Sequence, residues 1–427
     1  MTIYAKITHT VACGLASLPF MLFSTNHAAA EDATPQQPEE RPPIVLTDAA
    51  HELHQRSLVI DGHNDMPWEI RTKGASDFSK LDISQPQPSL HTDIPRLREG
   101  NVGAQFWSVW VPVDLGYKGE ALSTTLEQIE LVKRMIDRYP DTFELALSTD
   151  DIERISKEGK IASLIGVEGG HCIEESLNVL ERLYQLGARY MTLTHTDSLS
   201  WADAGTDEAR SAGLAPFGED VVRRMNELGM MVDLSHVSPE TMHDTLDISQ
   251  APVIFSHSSA RAVAEHPRNV PDDVLERLKQ KDGVVMVNFY SAFIVPEAAT
   301  LSAEAYRLER ELKKKYDDYE QVQREMNRWR RKNRYSRGTI HHLLDHIDHI
   351  AKTAGVEHVG IGSDFDGVSL LPTQLEDVSC YPYITQGLLD RGYTEEEIQG
   401  ILGNNLMRVF RGVEAYAAKH RNAAAGE

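Results

Sequence analysis

Beyond position 57 the chain falls into short, nearly unbroken apolar runs, each closed by a polar residue: 58–61, 102–111, 161–167, 189–193, 230–234, 252–255, 283–289 and 358–361. Runs this short that do not alternate with polar positions predict strands buried on both faces. Between them, apolar residues recur at helical spacing over 122–138, 173–186, 218–228, 239–246, 272–281 and 339–354. Two helix starts are marked chemically, because Ser238-Pro239-Glu240 and Pro271-Asp272-Asp273 place proline and carboxylates in the first turn. Strands alternating with helices imply parallel βα units, and eight units is the number that closes a (β/α)8 barrel. A doubly wound sheet is the alternative. Between the seventh and eighth strands, 302–334 is dense in Glu, Lys, Arg, Tyr and Gln with few aliphatic positions, which predicts a solvated helical insertion.

The ends read differently. Lys6, an apolar run over 11–23 and Ala28-Ala29-Ala30 form the pattern of a secretory signal over 1–30, and the Pro-, Gln- and Glu-rich stretch that follows predicts a disordered linker over 31–48. The barrel is then expected over 49–415 and a polar tail over 416–427. The signal implies a periplasmic or secreted protein. No later segment has the roughly 18 uninterrupted apolar residues of a membrane helix, so no span is expected in the mature chain. The net charge of −22 disfavours nucleic acid and anionic membrane surfaces and favours small-molecule chemistry. Of three cysteines, Cys13 falls in the signal; Cys172 and Cys380 would be free to pair in an oxidising compartment, which their spacing alone does not establish.

The chemistry lies where the strands end. The first run leads into His63-Asn64-Asp65, and residues two apart on an extended chain project to one side, so His63 and Asp65 can share a metal; alone, such a pair is as readily a turn with a capping carboxylate. Other runs end on Glu168, His195, His236, His257 and Asp364. In a parallel barrel these ends meet at one face, the face that carries catalytic groups. Imidazoles and carboxylates together suit Zn2+, and there are too many ligands for one ion. Two ions about 3.5–4 Å apart would activate a bridging water and polarise a carbonyl, which predicts hydrolysis. Glu168, before Gly169-Gly170, has the open backbone of a carboxylate that stands between metals.

Taken with Leu193-Thr194-His195-Thr196, Asp233-Leu234-Ser235-His236-Val237-Ser238, Ser256-His257-Ser258-Ser259-Ala260, Arg268-Asn269-Val270-Pro271-Asp272 and Asp364-Phe365-Asp366-Gly367, these motifs resemble the membrane (renal-type) dipeptidase family, peptidase family M19, from about 50 to 413 in the same order. The resemblance, to a secreted bacterial member, implies a zinc-dependent dipeptidase that accepts a D-residue at the carboxyl end of a small dipeptide. It implies two Zn2+ per chain, one held by His63 and Asp65, the other by His236 and His257, bridged by Glu168 and a water or hydroxide. Asp364 would be the acid/base carboxylate, His195 the group that orients the substrate carbonyl, and Arg268 the clamp for the terminal carboxylate, to which a guanidinium fork is matched. Tyr290, at the end of the seventh strand, is a further substrate-binding candidate. A homodimer is implied by the resemblance alone. Asp197 stands where animal members carry a cysteine, the 302–334 insertion exceeds their pattern, and no lipid anchor like that of the animal enzymes is expected.

Other residues read as structural. His342, His346 and His349 share a helical face opposite the stripe of Ile340, Leu343, Leu344, Ile347 and Ile350, so they and His341 are expected in solvent. Trp107 and Trp110 could line a substrate pocket, but barrel packing is the expected role of both. Two alternatives of other kinds remain: another binuclear amidohydrolase acting on cyclic amides, β-lactams or N-acyl amino acids, and a non-catalytic periplasmic metal- or peptide-binding protein. Asp364 separates the last from an enzyme, because a binding site needs no acid/base carboxylate.

Overall fold

The computed structural model describes residues 41–316 and 318–425; the segment assigned to a signal lies outside them, as does most of the assigned linker. Among the described residues nine strands form in chain order: β1 (Val59–Asn64), β2 (Val102–Trp110), β3 (Phe143–Leu145), β4 (Ile161–Glu168), β5 (Ala188–Thr192), β6 (Met231–Asp233), β7 (Val253–Phe255), β8 (Val284–Val287) and β9 (Val359–Ile361). All pairings between them are parallel, in the order β2-β1-β9-β8-β7-β6-β5-β4, and β2 also pairs with β4, which closes a ring of eight. The eight apolar runs are the eight strands of this (β/α)8 barrel. They read as continuous runs because every residue of β1 and of β4 to β9 is buried, and in β2 all but the half-buried Gly103 and Trp110. β3 pairs with the first residues of β4; three residues long, with only Phe143 buried, it has no periodicity to detect.

The helices follow their chemical starts. Ser238 accepts the Thr241 N–H and Pro239 opens the helix Pro239–Ile248. The helix expected from 173 begins later, at Leu177, because a 3-10 turn at Gly170–Ile173 is followed by Glu174 and Glu175 at positive φ, and Ser176 then caps. The linker expected to reach 48 is ordered before its end. Ile44 is buried and exchanges backbone bonds with the Gln374 amide, while Thr47 bonds Gln386 and caps the helix Asp48–Gln55. One apolar side chain and two glutamine amides thus outweigh the polar composition around them. At the other end the tail from 416 continues the helix Asn405–Ala425, with Ala417 buried.

The insertion is a pair of helices, Pro296–Lys315 and Tyr319–Lys332, and the few aliphatic positions it has, Ala305, Leu312, Val322 and Met326, form a small core of their own. The expectation of a solvated histidine face on Ile340–Thr353 fails at His346, which is fully buried: its Nδ1 accepts the Ala260 N–H and its Nε2 bonds the Ile294 carbonyl. The loop after β7 and the short helix Ser291–Ile294 after β8 cover that face, and periodicity within one helix cannot reveal what packs over it. Cys172 and Cys380 are buried free thiols. Among the described residues no helix is long and apolar enough to cross a membrane.

In β4, Gly166 pairs with Tyr190 of β5, and a Cβ there would lie 2.0 Å from the Tyr190 ring. Gly166→Ala should therefore cost about 1–3 kcal/mol by overpacking, measured as a lower midpoint of denaturant unfolding.

Candidate metal centre

His63, Asp65, Glu168, His195, His236, His257 and Asp364 all converge at the carboxyl end of the barrel. Three overlapping sets, His63–Glu168–His257, Glu168–His195–His236 and His63–Asp65–Asp364, each have donor atoms within 4.8 Å of one another. Glu168 divides them: its Oε2 faces His63 at 3.5 Å, and its Oε1 faces His236 at 2.9 Å and His257 at 3.4 Å. One carboxylate with an oxygen toward each group has the arrangement of a bridge between two cations.

The capping alternative for Asp65 does not hold. It occupies the N-cap position of the helix Met66–Thr72 but its side chain caps nothing, and its backbone N–H is taken by the Phe365 carbonyl. Its carboxylate turns inward, 3.3 Å from His63 Nε2. Gly367 permits this approach, since a Cβ there would meet Asp65 Oδ2 at 2.2 Å and Asp364 Oδ1 at 2.7 Å.

The hydrogen bonds around the imidazoles test whether a metal fits. The Tyr190 hydroxyl donates to the Gly62 carbonyl (3.2 Å), which leaves its oxygen to accept from His63 Nδ1 (2.9 Å). His63 Nε2 then faces two carboxylates, buried and without a hydrogen-bond partner. Burial opposes charge on His63, but Tyr190 and the carboxylates of Asp65 and Glu168 raise its pKa well above the usual value, so the cradle demands positive charge at that nitrogen. On the other side the Ser256 hydroxyl donates to Asp233 (2.6 Å) and accepts from His257 Nδ1 (2.8 Å). That turns the His257 Nε2 lone pair toward Glu168 and toward His236 Nε2, 3.0 Å away. Burial, reinforced by the His63 charge, keeps His257 well below its ordinary pKa and hence neutral. Imidazoles whose Nε2 atoms aim at a shared carboxylate are a metal-ligand set, with Tyr190 and the Asp233–Ser256 pair orienting the His63 and His257 rings.

Burial alone would raise the Glu168 pKa; the surrounding histidines, His63 foremost, hold it well below the carboxylate range instead. Asp364 goes the other way, pushed up to about 8 by burial and then by the Asp65 charge, although His63 and the Asn288 amide (2.7 Å to Oδ2) oppose this. Two carboxylates in one pocket are thus driven apart in proton affinity. His236 and Asp364 both adopt positive φ, 72° and 64°, a conformation held by bonds from the Gly205 N–H to the His236 carbonyl and from the Asp364 N–H to the His63 carbonyl.

Beside this cluster is a cavity of about 580 Å3 whose lining includes His195, His236, Arg268, Tyr290, Phe293 and Tyr306. Arg268 is fully buried and poorly satisfied: its Nη atoms reach Ser258 and the His257 carbonyl only at 3.5 and 3.3 Å, and its Nε has no partner. The sequence-based expectations are corrected at two places. Trp107 packs edge-on against Phe143, but Trp110 stands 5.5 Å from His195 at the site. Tyr306 brings the insertion, expected to be wet surface, into the cavity wall. Asp61 and Asp233 were also missed as supports, although each interrupts an apolar strand, and a buried acid requires partners: Asp61 accepts from Ser363, Tyr381 and Gln105, and Asp233 from Thr192, Ser235 and Ser256. Nothing in the sequence separates Tyr190 from a core residue.

The chain matches the family model of membrane dipeptidase (peptidase family M19) over residues 47–424. It is 42% identical over 378 residues to an uncharacterized dipeptidase of Schizosaccharomyces pombe, covering 86% of this chain and 83% of the relative. Its fold is similar to that of a probable dipeptidase from Pseudomonas aeruginosa (TM-score 0.76, 24% identity, 86% of this chain and 98% of that one). It is also similar to a metallopeptidase from Rhodobacter sphaeroides liganded with a phosphinate mimic of the dipeptide L-Ala-D-Ala (TM-score 0.69, 21% identity, 84% and 99%).

Tyr190→Phe removes the acceptor that sets the His63 tautomer. Metal affinity should fall about 10- to 100-fold, seen as faster loss of metal to a competing chelator with the unfolding midpoint little changed.

Proposed function

The chain belongs to the membrane dipeptidase family, and on that premise we propose that it is a zinc-dependent dipeptidase that cleaves free dipeptides, including those with a C-terminal D-residue. The observation that carries the metal assignment is the placement of Glu168 between the Nε2 atoms of His63 and His257, each turned inward by a bond at its Nδ1. His63 and Asp65 would hold one ion, His236 and His257 the other, and Glu168 both. When bound, such a pair supplies a lowered pKa for water and a positive field at the scissile carbonyl.

The other residues complete the chemistry. Asn288 holds Oδ2 of Asp364, leaving Oδ1 to take the proton of the attacking water and return it to the departing amine. Burial and the Asp65 charge raise the Asp364 pKa, so its ionised, proton-accepting form depends on cations in the cradle. His195, its pKa lowered by burial, lies on the cavity wall 3.7 Å from Glu168 and can donate to the carbonyl oxygen as negative charge develops there. Arg268 offers its unsatisfied guanidinium to the terminal carboxylate of the substrate, and Tyr290 flanks it.

The test is release of amino acids from L-Ala-D-Ala and from its N-acetyl form by the zinc-loaded chain. Cleavage of the free dipeptide alone supports a dipeptidase; equal cleavage of both identifies a broader amidohydrolase, and cleavage of neither a binding protein. Asp364→Asn should lower kcat about 100- to 10,000-fold with metal content unchanged. Retained turnover in that variant refutes the acid/base assignment.

A further inference from the structure

A second cavity of about 610 Å3 abuts the first, sharing Tyr290, Tyr306 and Ser369 with it, and is lined on its far side by Arg330 and Arg334 of the insertion. Among the described residues neither guanidinium has an ion pair or a side-chain hydrogen bond. In a chain of net charge −22, two guanidiniums without a carboxylate partner that line one cavity offer a place for an anion. The only carboxylate lining this cavity, Glu309, is engaged by Lys313 at 3.3 Å.

The cavity is tied to the substrate end of the site. Ser302 lines it, the Ser302 hydroxyl bonds His266 Nε2 (3.2 Å), and His266 Nδ1 accepts the Arg268 N–H (3.0 Å). If Arg268 holds the terminal carboxylate, the substrate backbone ends there, and what can extend past Tyr290 and Tyr306 is the side chain of the C-terminal residue. We propose that Arg330 and Arg334 form a subsite for an acidic side chain on that residue, so that the preferred substrates are dipeptides ending in an aspartate- or glutamate-type residue. This rests on the dipeptidase assignment and adds to it the chemical class of the substrate.

The test compares kcat/KM of the zinc-loaded full chain for L-Ala-D-Glu, its neutral isostere L-Ala-D-Gln, and L-Ala-D-Ala. The expected D-Glu to D-Gln ratio is about five to ten, set by two solvent-screened charge contacts, and it should shrink as salt is raised. In Arg330→Gln/Arg334→Gln the ratio should fall to about one, and in Arg334→Glu below one. Both positions are exposed, so the variants should fold, which circular dichroism verifies. A ratio near one in the unmodified chain, or a ratio that survives the double substitution, overturns the subsite while cleavage of L-Ala-D-Ala leaves the dipeptidase assignment standing. Cleavage of none of the three removes both.

Discussion

The constraint on which the structure depends is electrostatic: Asp65, Glu168 and Asp364 are brought together where water is largely excluded, and carboxylates so placed repel one another unless positive charge lies between them. The surroundings are built around that demand. Imidazoles lie between the carboxylates, the outward nitrogens of His63 and His257 are engaged by Tyr190 and Ser256, and a second pair of buried acids, Asp61 and Asp233, is satisfied by backbone amides and hydroxyls. The barrel supplies rigid positions for all of them, since every donor stands at or just beyond a strand end.

How legible this was follows from which residues speak through pattern. The eight ring strands were visible because parallel strands covered by helices must be apolar throughout, and the seven converging groups because each breaks such a run at its end. β3 was too short to show. His346 and Trp110 were misplaced for one shared reason: periodicity tells which face of an element is apolar but not which loop or neighbour covers the other face. Tyr190 shows the limit most plainly, for its ring is core and only its hydroxyl serves the site.

The insertion shows the same separation of scaffold from rim. Its small internal core lets it stand as a helical pair, so its surface toward the cavity is free to carry Tyr306 and two unpaired arginines without altering the ring beneath. Side chains on an element with a core of its own can change without disturbing the clustered histidines and carboxylates, which sit at strand ends fixed by the whole barrel.

The closure of the ring has a consequence for the life of the chain. The Ser363 hydroxyl bonds the His63 carbonyl across 300 residues, and β1 meets β9 only when nearly all the intervening chain is in place. Contacts so distant in sequence form late. A nascent chain emerging from the ribosome therefore carries His63 and Asp65 long before Asp364 exists to face them, and the complete centre is assembled by the last strand. Completion of the site is thus tied to completion of the fold.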